Sequence, residues 1–415
     1  GHTYDVARIL LSLALWGWFK ETRVLGRENI PYRKPVILTH TNMVMDPLVL
    51  GVHMPYGRQL HFWAKSTLFS NKFAAALLTA LGAVPVDRKN KDNASLFAGT
   101  IRTLRNSGVM AIFPEGTSYT LPHMMQLRDG LSWAALQHAL EMDEAGDGQR
   151  TATIVPAGIT YVHKQKWRSM AIIMYGAPMD VTSYLAEFRQ EPRSAVKRLT
   201  RDIDTELHRV TINARDWDTM HAAEMARTLL VPDEVVLAED YVKLMQSLVS
   251  VLQDLDDHPD VVKLQTQLVK YRSLLETLRL SDLDIASFAH ENVGVIGVTV
   301  SLVARSLKLL VDLPLFLPGL LFHFPIFLIA RAVDRLEPYE ECKAQDKVFA
   351  SIAVLPILYG LLFRYLWSFS NYSVVGLLVA VSLTVTFIVY HTALVDDRYE
   401  HFTSVVAAWR MFKAV

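Results

Sequence analysis

The chain has 415 residues, enough for two or three structural units with proper cores. Its 42 basic and 42 acidic residues cancel, so no global charge points to nucleic acid as a partner. A 51% hydrophobic content concentrated near the C-terminus points to lipid, and Cys342 as the single cysteine excludes an intrachain disulfide and gives no support to an oxidising compartment.

Residues 1–29 open with an apolar stretch from Ile9 to Phe19 of signal-sequence length. It runs into Lys20-Glu21-Thr22-Arg23 with no small-residue cleavage site. Trp16, Trp18 and Phe19 suit a headgroup boundary, so the expectation is a helix lying in the membrane interface and a lead-in. A core helix of the following domain is the open alternative.

Across 30–215 short apolar runs alternate with helix-like segments. Strands are expected over 35–39, 60–64, 83–86, 109–113, 153–159 and 170–175. Helices are expected over 47–52, 70–81, 93–105, 128–141 and 193–210. That alternation predicts an α/β domain with a largely parallel sheet. The first run, Val36-Ile-Leu-Thr-His40, ends on a histidine, and Asp46-Pro47 opens the next helix. A base belongs at such a strand-to-helix corner, where α/β sheets open their ligand crevice. A carboxylate six residues on can hold one imidazole nitrogen and leave the other to take a proton. The bland alternative is an Asp-Pro helix start.

Three further blocks lie at strand ends. Gly82-Ala-Val-Pro-Val-Asp-Arg88 supplies a guanidinium suited to bidentate phosphate binding. Ile112-Phe-Pro-Glu-Gly-Thr-Ser118 places Glu115 and Gly116 in a turn. Ile154-Val-Pro-Ala-Gly-Ile159 is a buried strand carrying Pro156. Each alone reads as a surface charge, a common turn or a packing feature.

Residues 216–290 become helical. Apolar spacing over 235–255 and 261–278, broken at Asp256-Asp257-His258-Pro259, predicts an antiparallel helical hairpin. Within 291–347, the stretch 307–332 is apolar but carries Lys308, Asp312, Pro314, Pro318 and Pro325. Three prolines free several backbone groups in lipid, so a broken interfacial or re-entrant segment is expected there. The final unit, 348–415, holds two stretches, 348–369 and 374–394. Each is about 21 residues long and able to cross roughly 30 Å of hydrocarbon. Ser370-Asn371-Tyr372 between them fits a hairpin turn. Arg331, Arg335, Lys343 and Lys347 precede this hairpin, Arg398, Arg410 and Lys413 follow it, and the turn has no basic residue. The positive-inside rule puts the large domain and the tail together in the cytosol.

Taken together, the His/Asp, Gly…Arg, Phe-Pro-Glu-Gly and Val-Pro blocks resemble the glycerolphosphate acyltransferase superfamily, with about 30–180 covered. The resemblance extends through Ala64-Lys65-Ser66, Val210-Thr-Ile-Asn-Ala-Arg-Asp-Trp-Asp-Thr219, Leu315-Phe-Leu-Pro-Gly319 and Asp346-Lys-Val-Phe349. These look like the fungal-type branch that acylates glycerol-3-phosphate and dihydroxyacetone phosphate. One departure is the five residues, 41–45, between His40 and Asp46, where the superfamily usually has four; the fungal-type branch looks similar in this.

The resemblance implies transfer of an acyl chain from acyl-CoA, as co-substrate, to the C1 hydroxyl of glycerol-3-phosphate or dihydroxyacetone phosphate. His40 is the expected base and Asp46 its orienting partner. Arg88, with Lys65 and Arg128, is expected to hold the acceptor phosphate. Glu115 is expected to bind a glycerol hydroxyl, Gly116 to allow close approach, and Pro156 to belong to the Val-Pro box. No cofactor and no metal are expected. With no serine or cysteine nucleophile evident, direct attack is preferred to an acyl-enzyme. The expected setting is the endoplasmic reticulum membrane, multi-pass, with lipid as a partner and a homodimer left open. Two alternatives stand: an acyltransferase for lysophosphatidate or another lysolipid, and a non-catalytic lipid-binding scaffold.

Overall fold

The computed structural model describes residues 2–40, 45–86, 93–116, 121–162, 168–231, 237–288, 294–337 and 340–415. Two compact units divide it: 1–216 with 237–246, and 217–236 with 247–415.

The first unit is a seven-stranded sheet with helices. In chain order it runs α1 (His2–Trp18), β1 (Phe19–Leu25), β2 (Val36–His40), α2 (Asp46–His53), β3 (Leu60–Lys65), α3 (Lys72–Ala80), β4 (Ala83–Val86) and α4 (Asn93–Arg105). It continues with β5 (Val109–Ile112), α5 (Gly130–Glu144), β6 (Thr153–Tyr161), β7 (Ser169–Tyr175), α6 (Leu185–Gln190) and α7 (Pro192–Val210). The strand order is β1-β7-β6-β2-β5-β3-β4. All pairs are parallel except β6 with β7. The largely parallel sheet is therefore as expected, with each of the six strands placed within two residues at either end.

Val36, Ile37 and Leu38 of the central strand are fully buried, as a parallel strand covered on both faces requires. Ile37, Met110, Ile112 and Ile154 join one cluster with Leu131, Leu136, Leu199, Ile203 and Leu207 of α5 and α7. The buried positions of α7, Ala195, Val196, Leu199, Ile203, Leu207 and Val210, recur every three or four residues, which makes one helical face. Its C-terminal carbonyls are closed from α9 (Ala238–Asp254). Gln246 Nε2 donates to the oxygens of His208 at 3.1 Å, Arg209 at 3.2 Å and Thr211 at 2.7 Å.

One expectation is corrected at the N-terminus. Residues 19–25 are no lead-in; they form β1, an edge strand parallel to β7, with Thr22 level with Ala171 and Leu25 with Met174. Lys20, Glu21 and Arg23 hide it from a periodicity reading, yet charge is what an edge strand needs to resist pairing with other chains. The helix before it has one buried and one exposed apolar side. Tyr4, Leu15 and Trp18 are buried, while Val6, Ile9, Leu10, Leu13 and Trp16 form an exposed apolar stripe. Arg168 Nη1 closes its last turn by donating to the oxygens of Trp16 at 2.7 Å and Phe19 at 3.1 Å.

The second unit holds α8 (Trp217–Leu230), the rest of α9, α10 (Pro259–Leu278), α11 (Asp282–Ala286), α12 (Val295–Leu336), α13 (Glu340–Ser368) and α14 (Val374–Ala414). The helices of the expected hairpin exist, but α10 packs on α8 instead of folding back along α9. Arg272 pairs with Glu224, and Gln265 Nε2 donates to Thr219 Oγ1 at 3.3 Å. Alternating polar residues over 217–230 obscured α8, and its apolar partners Ala222, Ala223 and Met225 are small or flexible. In 307–332 the helix itself is unbroken: α12 is continuous over 42 residues with Pro314, Pro318 and Pro325 inside it. Val295–Leu336, Asp346–Ser368 and Val374–Val395 are each long and apolar enough to cross a membrane.

Candidate active site

The parallel strands β2, β3, β4 and β5 all end at one edge of the sheet, and most candidate residues gather there. His40 is the last residue of β2, the middle strand, level with Ala157 of β6. Its backbone is described; its side chain and the chain from 41 to 44 lie outside the described residues, as does Arg88. Lys65 ends β3, is exposed, and is level with Val86, two residues before Arg88.

Asp46 is the first residue of α2 and is buried. The N-cap position falls on Met45, which supplies no side-chain cap. The Asp46 carboxylate faces β6, where Tyr161 Oη donates to Oδ1 at 2.7 Å. Burial first, then the neighbouring carboxylate, pushes the Tyr161 phenol well above its usual range, so it stays protonated and remains a donor. Sequence reading missed Tyr161. No pattern links it to a residue 115 positions earlier; only the extension of β6 past the end of β2 brings them together.

Glu115 and Gly116 follow β5 in a tight turn, with Gly116 N–H donating to Phe113 O at 3.1 Å. Pro114 presets its first corner. Glu115 is buried, and its Oε1 accepts from Met125 N–H at 3.1 Å. Gly116 has φ of +73°, and a Cβ there would lie 3.0 Å from Arg128 Nε and 3.1 Å from its Cδ. The close approach that glycine permits is therefore made by the Arg128 side chain. Arg128 N–H also donates to Pro114 O at 2.8 Å, which returns the chain to the same turn. Pro156 is buried inside β6 beside Thr39, and its oxygen accepts from Gly176 N–H at 2.8 Å. It belongs to the strand behind the edge rather than to the edge itself.

Residues 122–124, just before Met125, are held by the segment 211–214. Asn213 Oδ1 accepts from Met124 N–H at 2.8 Å, and Asn213 Nδ2 donates to Thr211 Oγ1 at 2.8 Å. Ala214 N–H donates to Pro122 O at 2.9 Å. The Thr-Ile-Asn-Ala segment thus fixes the residue before Met125, whose amide holds Glu115. Chemically, this edge offers two buried carboxylates, a histidine on the central strand, and the cations Lys65 and Arg128. Among the described residues no group of three or more His, Cys, Asp or Glu could hold a metal ion.

Residues 21–160, a stretch that includes His40, Asp46, Arg88, Glu115 and Pro156, match the acyltransferase family model. This part of the chain is thus similar to the acyltransferase family. Residues 222–338 match a second model, the C-terminal domain of glycerol-3-phosphate acyltransferase 2. The chain is 29% identical over 282 residues to glycerol-3-phosphate O-acyltransferase 2 of Saccharomyces cerevisiae, covering 65% of this chain and 37% of that one. Against glycerol-3-phosphate O-acyltransferase 1 of the same yeast it is 24% identical, covering 65% and 36%. An uncharacterized acyltransferase of Schizosaccharomyces pombe is 22% identical, covering 86% and 67%. The chain thus matches little more than a third of the length of the two Saccharomyces proteins. The resemblance to the fungal-type glycerol-3-phosphate acyltransferases, read first from the motifs, is borne out by both models and these relatives.

Proposed function

We propose that the chain transfers an acyl group from acyl-CoA to the C1 hydroxyl of glycerol-3-phosphate, and of dihydroxyacetone phosphate, at the start of phospholipid and triacylglycerol synthesis. The observation that carries it is the sheet edge: His40 closes the central strand, and the buried carboxylates Asp46 and Glu115 stand at the ends of adjoining segments. His40 takes the hydroxyl proton as the acceptor oxygen attacks the thioester carbonyl. The tetrahedral oxyanion collapses, the C–S bond breaks, and the thiolate of coenzyme A leaves and recovers the proton from the imidazolium. Asp46, held by Tyr161, orients the imidazole. Glu115 accepts from a glycerol hydroxyl, while Arg88, Lys65 and Arg128 hold the phosphate.

The membrane reading belongs here too. Residues 348–394 form a transmembrane hairpin in the endoplasmic reticulum membrane whose flanks face the cytosol, where acyl-CoA and glycerol phosphates are supplied. Basic residues on both flanks and none in the turn support it.

The test offers radiolabelled acyl-CoA to the full chain with glycerol-3-phosphate, dihydroxyacetone phosphate and lysophosphatidate in turn. Turnover of the first two is expected. Turnover of lysophosphatidate alone establishes the rival acceptor, and a folded chain inactive on all three is a scaffold. His40→Ala should lower turnover by about 10²–10⁴-fold, the typical worth of a general base. More than a tenth of the wild-type rate overturns the assignment.

A further inference from the structure

Two acidic residues tie α12 to its neighbours. Asp312 is buried; it accepts from Arg398 Nη1 at 2.6 Å and is bonded to His401, both past the apolar part of α14. Asp334 Oδ1 pairs with Lys347 Nζ at 2.5 Å, at the start of the apolar part of α13. Between them, His323 Nε2 is hydrogen-bonded to Tyr359 Oη at 2.8 Å and its ring stacks on His391 at 4.3 Å. Phe322 meets Phe387 at 5.2 Å, and a Cβ on Gly319 would lie 2.1 Å from His391 Nδ1. Along α12, residues 312, 319 and 322 thus meet 398, 391 and 387 of α14, while 323 and 334 meet 359 and 347 of α13.

These pairings fix a parity. The helices α13 and α14 are consecutive, joined through a turn in which Trp367 Nε1 donates to Ser373 O at 2.8 Å. If each crosses the bilayer, as proposed above, Lys347 and Arg398 lie on one face. Asp334 and Asp312 are paired to them and lie on that face too. A straight helix between the two aspartates would be about 33 Å long and would carry them to opposite faces. We propose that α12 enters one leaflet and returns to the face it left, with Asp312 and Asp334 as its two anchors, so that it makes no third crossing.

The sequence between the anchors suits this course. Pro314, Pro318 and Pro325 all fall there, and a proline inside a helix lacks one hydrogen-bond donor and favours a bend of the axis. Half the distance is about 16 Å of helix, so the arc reaches no deeper than roughly the middle of a 30 Å core. His323 sits at that midpoint, where its bonds to Tyr359 and to Gly319 O, at 2.8 Å each, satisfy both ring nitrogens. Leu321, Phe324 and Leu328 on the arc are exposed, an apolar surface for the acyl tails of a single leaflet.

The inference rests on the transmembrane hairpin, and the test separates the two. The full chain is placed in sealed microsomes with one cysteine at a time, and a membrane-impermeant maleimide is added before or after permeabilisation. Native Cys342 reports the end of α12. With Cys342→Ser as background, Thr277→Cys reports the side before α12, Asn371→Cys the hairpin turn and Lys413→Cys the tail. Labelling of 277, 342 and 413 in sealed vesicles, with 371 reached only after permeabilisation, is the expected result. Protection of 342 while 277 stays open makes α12 a full span and overturns the proposal. Equal labelling of 371 and 413 removes the hairpin, and the parity argument with it. If Cys342 stays inert even in detergent, Glu337→Cys in the Cys342→Ser background reports the same loop and decides by the same outcomes.

Discussion

Tyr161 shows how much of a site one hydrogen bond can carry. It donates to the buried Asp46 carboxylate, and a hydrogen bond to a charged group contributes about 1.5–3 kcal/mol. If Asp46 orients His40, Tyr161→Phe should lower kcat by about 10- to 100-fold and leave KM for both substrates nearly unchanged. A fall in stability with normal kcat in the surviving fraction would give the pair a purely structural role. Gly116→Ala is expected to harm both properties. The residue sits at φ +73°, which costs an L-amino acid about 1–2 kcal/mol, and the new methyl presses on Arg128. Acceptor KM should rise more than acyl-CoA KM, measured in the same assay. His40, Asp46 and Glu115 were legible in sequence because their neighbours form motifs. Tyr161 was not, because its meaning depends on which strand lies beside β2.

Elements bring further consequences. The strap from Asn213 to Met124 is a positioning contact, with Glu115 held one residue further on. Asn213→Ala should speed hydrogen exchange at the Met124 and Met125 amides and raise acceptor KM, while Asn213→Asp, which keeps the accepting oxygen, should restore slow exchange at Met124. Unchanged exchange in the alanine variant would remove the strap from the argument. The sheet also buries imidazoles. His53, His61 and His138 are each held below the usual range, by burial first, and each is bonded to a backbone oxygen. Unfolding returns them to about 6.5. Below that pH the unfolded chain takes up protons that the folded chain refuses, so stability falls as pH drops. Urea midpoints of the detergent-solubilised chain should therefore decline from pH 7.5 to 5, and less steeply in His138→Gln. An identical slope in that variant would acquit His138. The elements themselves were readable where periodicity was clean, as in β2 and α7. The charged edge strand β1 and the small-residue helix α8 were not, since their stability comes from neighbours remote in sequence.

The whole molecule joins an α/β unit at the N-terminal side to a helical unit rich in lipid-length segments. Within the latter, Asp312 with Arg398 and His401 links helix positions 86 and 89 residues apart. Removing the Asp312 carboxylate takes away the group that Arg398 and His401 share. Asp312→Ala should thus lower the thermal midpoint in detergent sharply, and Asp312→Arg with Arg398→Asp should recover part of the loss; no recovery would mean the contact is not a direct ion pair.

By itself the sequence determined the parallel α/β character, the two apolar stretches near the C-terminus, and the motifs on which the family resemblance rests. Local alternation, span length and short motifs are properties of contiguous residues. Tertiary structure alone decided that β1 completes the sheet, that α8 rather than α9 receives α10, that Tyr161 is a partner of Asp46, and that α12 stays helical through three prolines. Each of these depends on a contact between residues far apart in the chain, where burial and pairing outweigh local propensity.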